Sequence, residues 1–143
     1  MKIAIGCDHG GYELKEQLRR YLSNKGYEVI DCGTDSVESV HYPVFAKMVS
    51  KNILNGNAER GIVVCTTGEG VSMQCNRYKG IRCGIAYNNE VARLMRAHND
   101  ANVLALGARF TPLEDAISRV ELFLNTNFEG GRHQTRIEML DED

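Results

Sequence analysis

Residues 2–31, KIAIGCDHGGYELKEQLRRYLSNKGYEVID, contain one complete unit of the fold. An apolar run over residues 2–6 is followed by a polar turn and then by Leu14, Leu18, Tyr21 and Leu22 at helical spacing. Gly26 stops that helix, and a second apolar run begins at once over residues 27–31. A strand, an amphipathic helix and a strand in this order predict two parallel strands joined by a crossover helix.

The same alternation continues along the chain. Further strands are expected over residues 61–65, 82–86 and 103–106. Pro43 sits where a helix can begin, Phe45, Val49 and Ile53 mark its apolar stripe, and Asn55-Gly56-Asn57 closes it. Shorter helices are expected over residues 70–78 and 89–98. Thr111-Pro112-Leu113-Glu114 reads as a helix start with Thr111 as cap, Pro112 at the first helical position and Glu114 completing a capping box. Leu113, Ile117, Val120 and Leu124 then supply the buried face. The pattern predicts an α/β fold, a Rossmann-like three-layer αβα sandwich with a five-stranded parallel sheet of order 2-1-3-4-5. With no internal repeat or linker, residues 1–143 read as a single domain. Residues 126–143 form a C-terminal segment whose Arg132 and Arg136 share one helix side.

Composition narrows the function. A formal net charge of −2, with basic runs only at residues 15–20 and 132–136, gives no footprint for nucleic acid. The opening MKIAIG is too short an apolar run for a signal peptide, and no stretch approaches a membrane-spanning length. Five cysteines, an odd number without a C-x-x-C pair, fit a reduced cytoplasmic protein. The cysteines and histidines are scattered singly, so neither a metal nor another cofactor is expected.

In such sheets ligands bind beyond the carboxyl ends of the strands. Strand one ends in Cys7-Asp8-His9-Gly10-Gly11, strand three in Cys65-Thr66-Thr67-Gly68-Glu69-Gly70 and strand four in Tyr87-Asn88-Asn89. A glycine-rich loop between strand and helix turns backbone N–H groups toward an anion, and this one starts with a thiol. Cys65 is either a small apolar residue closing a buried strand or a reactive thiolate at a helix start. A phosphatase loop would need an arginine six residues on, where Val71 stands. A phosphoacceptor domain would need an aspartate in place of Cys65 and a lysine in place of Gly107. Asp8-His9 reads either as a turn aspartate with a partly exposed histidine or as part of a site.

The stretches KIAIGCDHGGYELK, YPVFA, CTTGEGVSMQCNR with KGIR, HNDANVLALGAR and EGGRHQTRIE together resemble the ribose-5-phosphate isomerase B family. That family also includes allose-6-phosphate isomerase and the subunits of galactose-6-phosphate isomerase. The resemblance implies a cofactor-free aldose–ketose isomerase of carbohydrate metabolism, acting on ribose 5-phosphate in the pentose phosphate pathway. It implies that Cys65 is the base that moves a proton between C1 and C2, supported by Thr67, with the backbone amides of Thr66, Gly68, Glu69 and Gly70 around the enediolate. His98 would open the sugar ring, Asp8 and Asn99 would hold hydroxyls, and Tyr42 would line the pocket. His9, Arg109, Arg132 and Arg136 would hold the phosphate.

His98 and Asn99 precede strand five, at the amino ends of the strands, whereas Cys65 lies at the carboxyl ends. One sugar can meet both only if a second subunit supplies His98. A homodimer or tetramer with shared sites is therefore expected, as the resemblance also implies. Two positions depart from the family loop: Thr66 replaces a glycine and Glu69 an apolar residue. Thr66 adopts positive φ only at a cost, so the loop is reshaped unless that position is extended. Glu69 has three open placements: solvent, a partner such as Arg77, or a substrate hydroxyl. The alternatives to a ribose 5-phosphate isomerase are a hexose 6-phosphate isomerase, for allose or galactose 6-phosphate, and a non-catalytic sugar-phosphate binding protein.

Overall fold

The computed structural model describes residues 1–143. Its elements run β1 (Lys2–Cys7), α1 (Tyr12–Asn24), β2 (Glu28–Asp31), α2 (Tyr42–Leu54), β3 (Arg60–Cys65) and α3 (Glu69–Cys75). They continue through β4 (Cys83–Ile85), α4 (Asn89–Ala97), β5 (Val103–Gly107), α5 (Leu113–Asn125) and α6 (Arg132–Glu138). All strand pairs are parallel.

Alternate residues of the central strands feed two cores. Ile3, Ile5, Ile62, Val64, Leu104 and Leu106 face Leu14, Leu18 and Leu22 of α1, Met95 of α4 and Phe123 of α5. Ala4, Val63, Cys65, Val103 and Ala105 face the other way, onto Ala46 and Val49 of α2 and Val71 and Cys75 of α3. Helices on both faces of a parallel sheet make the expected three layers.

The strand order is 2-1-3-5-4, not 2-1-3-4-5. The physical reason is burial. VLALG of β5 is buried at every residue, which suits a strand with neighbours on both sides and helices on both faces. CGI of β4 is three half-buried residues, short enough to stand at an edge. α3 is also shorter than the expected 70–78. Asn76 ends it by turning its side chain onto β4, accepting from Cys83 N–H at 2.8 Å and donating to Cys83 C=O at 2.9 Å. The expected capping box does not form. Thr111 is extended, Pro112 occupies the cap without a side-chain hydrogen bond, and its carbonyl accepts from Ala116 N–H at 3.0 Å.

Lys15, in the basic run over residues 15–20, is 1% exposed. Its Nζ donates to both oxygens of Asp31, at 3.0 and 3.2 Å, and to Glu16 at 3.2 Å. Burial works to lower its pKa, but the Asp31 hydrogen bond and charge outweigh it and the net shift is upward. Glu16 also accepts from Arg19 Nε at 2.7 Å, and chiefly through that bond its carboxyl falls to about 2. Since this lies below its ordinary 4.5, ionised Glu16 stabilises the fold above about pH 4.5, and that contribution is lost as pH falls toward 2. Urea midpoints measured across this window should fall with pH in the wild type. Glu16→Gln should lower the midpoint at neutral pH and flatten the slope between pH 4.5 and 2.

Candidate active site

Three strand ends meet at the carboxyl edge of the sheet. Cys65, the last residue of β3, is buried and lies in register with Gly107, the last of β5. Its Sγ accepts the Gly68 N–H at 3.1 Å. Two other thiols are masked: burial pushes Cys7 up to about 12 and Cys32 up to about 11.

The loop after Cys65 turns at Gly68, whose φ is +83°. Thr66 is outside the positive-φ region, so its side chain costs the loop no strain. Glu69 N–H donates to Thr67 Oγ1 at 3.2 Å. The N–H groups of Thr66, Thr67 and Gly70 find no partner within the chain. Three backbone donors on the segment that follows the thiol are thus uncommitted, while those of Gly68 and Glu69 are bound within it. Gly107 makes the arrangement possible, since a Cβ there would lie 2.5 Å from the Thr67 carbonyl oxygen.

Neighbouring residues close one side of this loop. Arg109 N–H donates to Thr66 C=O at 3.1 Å, and Asp8 N–H to Val64 C=O at 3.3 Å. Asp8 is buried, and one carboxylate oxygen accepts from Gly10 N–H at 2.9 Å. His9 Nδ1 accepts from Val40 N–H at 3.1 Å, which leaves the proton of the neutral ring on Nε2 as a donor. His9, Thr66 and Arg109 line one cleft together. The Tyr42 ring lies over Gly70, where an added Cβ would sit 2.6 Å from it. Glu69 is exposed and makes no ion pair with Arg77 or any other cation. It lines a second hollow with Thr67, Tyr87, Phe110 and Arg119.

The remaining candidates gather elsewhere. His98 caps the end of α4 and lines a hollow with Asn99, His133 and Arg136. Arg132 and Arg136 are exposed on α6. The turn after His98 is held firmly. Asp100 sits at φ +46°, accepting from Arg96 at 2.7 Å and Arg82 at 3.3 Å, and Arg82 Nε also donates to the Asn99 carbonyl at 3.1 Å. The two groups lie at opposite ends of the sheet. From Gly61–Val103 to Cys65–Gly107 is four steps along β3 and β5, about 13 Å at ~3.3 Å per residue. One subunit therefore does not bring His98 to Cys65.

Sequence reasoning missed one cluster. The His98 and His133 rings stack at 4.3 Å with an interplanar angle of 12°, and each Nε2 lies 3.7 Å from the same Glu129 oxygen. Burial, then the charges of His98 and Arg132, lowers the His133 pKa. Histidines that look scattered in sequence are brought together because the chain returns from α5 to the end of α4, with Glu129 N–H bound to Ala97 C=O at 3.0 Å. No local spacing signals this.

Known proteins share this fold. The Ribose/Galactose Isomerase family pattern matches residues 3–140. Ribose-5-phosphate isomerase B of Escherichia coli is 44% identical over 139 residues, covering 97% of this chain and 93% of its own length. The structure of the Clostridium thermocellum protein of that name superposes with a TM-score of 0.98 at 48% identity, covering 99% of this chain and 96% of the other. The Mycoplasma genitalium protein, whose structure holds ribulose-5-phosphate, superposes with a TM-score of 0.92 at 38% identity, covering 97% and 93% of the two chains. By its sequence across nearly the whole length, and by the fold built from it, this chain belongs to the Ribose/Galactose Isomerase family.

Proposed function

We propose that this chain interconverts ribose 5-phosphate and ribulose 5-phosphate through an enediolate, with Cys65 as the base. The observation that carries this reading is the Cys65 loop. A buried thiol accepts one N–H, and three unpartnered N–H groups stand on the same short loop. The similarity to the Escherichia coli enzyme and to the ribulose-5-phosphate complex supports the choice of sugar.

In the open-chain aldose the Cys65 thiolate removes the C2 proton. The freed electron pair becomes the C1–C2 double bond, and O1 takes the negative charge. The thiol then returns the proton to C1 while O2 becomes the carbonyl and its proton passes to O1. A proton beside a carbonyl leaves only if the growing oxyanion is stabilised, and one good preformed donor contributes about 3–4 kcal/mol. Thr67, whose hydroxyl accepts from Glu69 N–H, fixes the loop beneath the thiol. Asp8 and Asn99 hold hydroxyls and Tyr42 walls the pocket.

The site is completed between subunits of a homodimer or tetramer. One subunit gives Cys65, His9 and Arg109. Another gives His98, which takes the anomeric hydroxyl proton as the ring opens, and Arg132 with Arg136, four residues apart on one helix and suited to forked bonds with a dianionic phosphate. We place the reaction in the cytoplasm and in the pentose phosphate pathway, the first supported by five free cysteines and the second by the choice of sugar. A hexose 6-phosphate is the second reading, favoured by Glu69 on the wall of the hollow beside Thr67.

Three outcomes test this. Cys65→Ala should lower kcat on ribose 5-phosphate by ~10²–10⁴-fold, measured on chelator-treated protein. Higher kcat/KM on allose or galactose 6-phosphate would move the assignment to the hexose. Cys65→Ala and His98→Ala, each inactive alone, should regain about a quarter of wild-type activity when co-expressed, because half the dimers then carry one intact shared site. No recovery would place both groups in one subunit. Gly107→Ala should cost about 1–3 kcal/mol of stability by overpacking and should lower kcat more than it raises KM, since it pushes the Thr67 carbonyl.

A further inference from the structure

The geometry points to a second ligand for this protein: we infer that His98, Glu129 and His133 bind a divalent transition cation of the zinc class, and that the cation takes His98 out of the reaction. The inhibitory part rests on the function proposed for His98; the binding part does not.

The donor set is of the right kind. Two imidazole nitrogens and one carboxylate suit zinc, cobalt or nickel, whereas calcium and magnesium select oxygen ligands. The spacing is close to that needed. The three donor atoms lie within 4.8 Å of one another, and both Nε2–Oε1 separations are 3.7 Å. Donors on a tetrahedral zinc stand about 3.3 Å apart, given bonds of about 2.0–2.1 Å. Ligation needs the two rings, stacked 12° from parallel, to turn about χ1 and χ2 until both Nε2 lone pairs meet at one ion.

The backbone is held in place for it. Glu129 N–H is bound to the carbonyl of Ala97, the residue before His98. Gly130 and Gly131, at φ +70° and +57°, turn the chain into α6 so that His133 comes back over His98. The Glu129 carboxylate makes no ion pair with lysine or arginine, and neither ring is hydrogen-bonded elsewhere in the chain. Glu129 is 54% exposed, so an ion can enter from solvent and leave one coordination position for water. Once His98 Nε2 is ligated it cannot carry a sugar proton.

The test begins with cobalt added to chelator-treated wild-type protein. One equivalent should give d–d bands without thiolate-to-cobalt charge transfer, and zinc should displace it. Glu129→Gln should weaken zinc binding by about tenfold or more while leaving metal-free turnover and the circular dichroism spectrum unchanged. Saturating zinc should inhibit wild type, reversibly with chelator, at concentrations that spare Glu129→Gln. A thiolate charge-transfer band, or equal zinc affinity in the variant, overturns the site. Binding without inhibition overturns the regulatory half. If metal-free wild type fails to isomerise any sugar phosphate, the functional reading falls, yet the cobalt spectrum still decides the site.

Discussion

The pairing of β3 with β5 fixes what stands at the carboxyl edge of the sheet. Their register sets Cys65 against Gly107, and the missing side chain at Gly107 lets the Thr67 backbone fold over the end of β5. Arg109, two residues beyond Gly107, then closes on the Thr66 carbonyl. β1 on the other side of β3 brings Asp8 and His9 to the same edge. A thiol, a set of backbone donors and the cleft lined by His9 and Arg109 converge because three adjacent strands end together. Had β4 stood between β3 and β5, Arg109 would lie a strand further away, about 4.8 Å.

The same adjacency separates His98 from Cys65. The chain must travel back along the sheet before it can enter β5, so whatever caps α4 stands at the amino edge. That turn is built with care: Asp100 accepts a left-handed conformation under two arginines, a local strain that aspartate tolerates better than most residues. A second set of polar groups is held on a rigid turn, facing away from the first. Within one chain these two sets have nothing to do with each other. In the proposed assembly they would complement one another, a thiol with donors on one subunit and a histidine with two arginines on the other.

Much of this was legible in the sequence. The opening unit of strand, helix and strand follows from Leu14, Leu18 and Leu22 at helical spacing between two apolar runs, and the structure has those elements within a residue or so. The Cys65 loop was legible because a strand end that begins glycine-rich polar sequence has few other uses. Strand order was not legible, since an apolar run declares a strand but not its neighbours; the one available signal was that VLALG is apolar throughout while the run before it is broken by arginine and glycine. Lys15 was hidden for a different reason. A lysine in a basic run looks solvated, and only the tertiary approach of Asp31 to α1 makes its burial tolerable. The His98–Glu129–His133 trio joins residues 31 and 35 positions apart, beyond any spacing rule.

Glu69 bears on how the thiol is made reactive. A carboxylate in the first turn of α3 balances the partial positive charge of the helix start, so a dipole acting on Cys65 would be reduced there. Seven residues make a weak dipole in any case. The sulfur's own contact is the Gly68 N–H at 3.1 Å, and that bond needs the positive φ of Gly68, not the glycine that this chain replaces with Thr66. The two departures in the loop are therefore separable in their effects. Thr66 leaves the thiol's hydrogen bond intact. Glu69, which points along the wall shared with Thr67, Tyr87 and Phe110, alters the lining of the pocket and not the position of the sulfur. In the proposed reaction the chemistry rests on backbone geometry that tolerates side-chain change, and the choice among sugar phosphates would fall to side chains such as Glu69 that the backbone does not constrain.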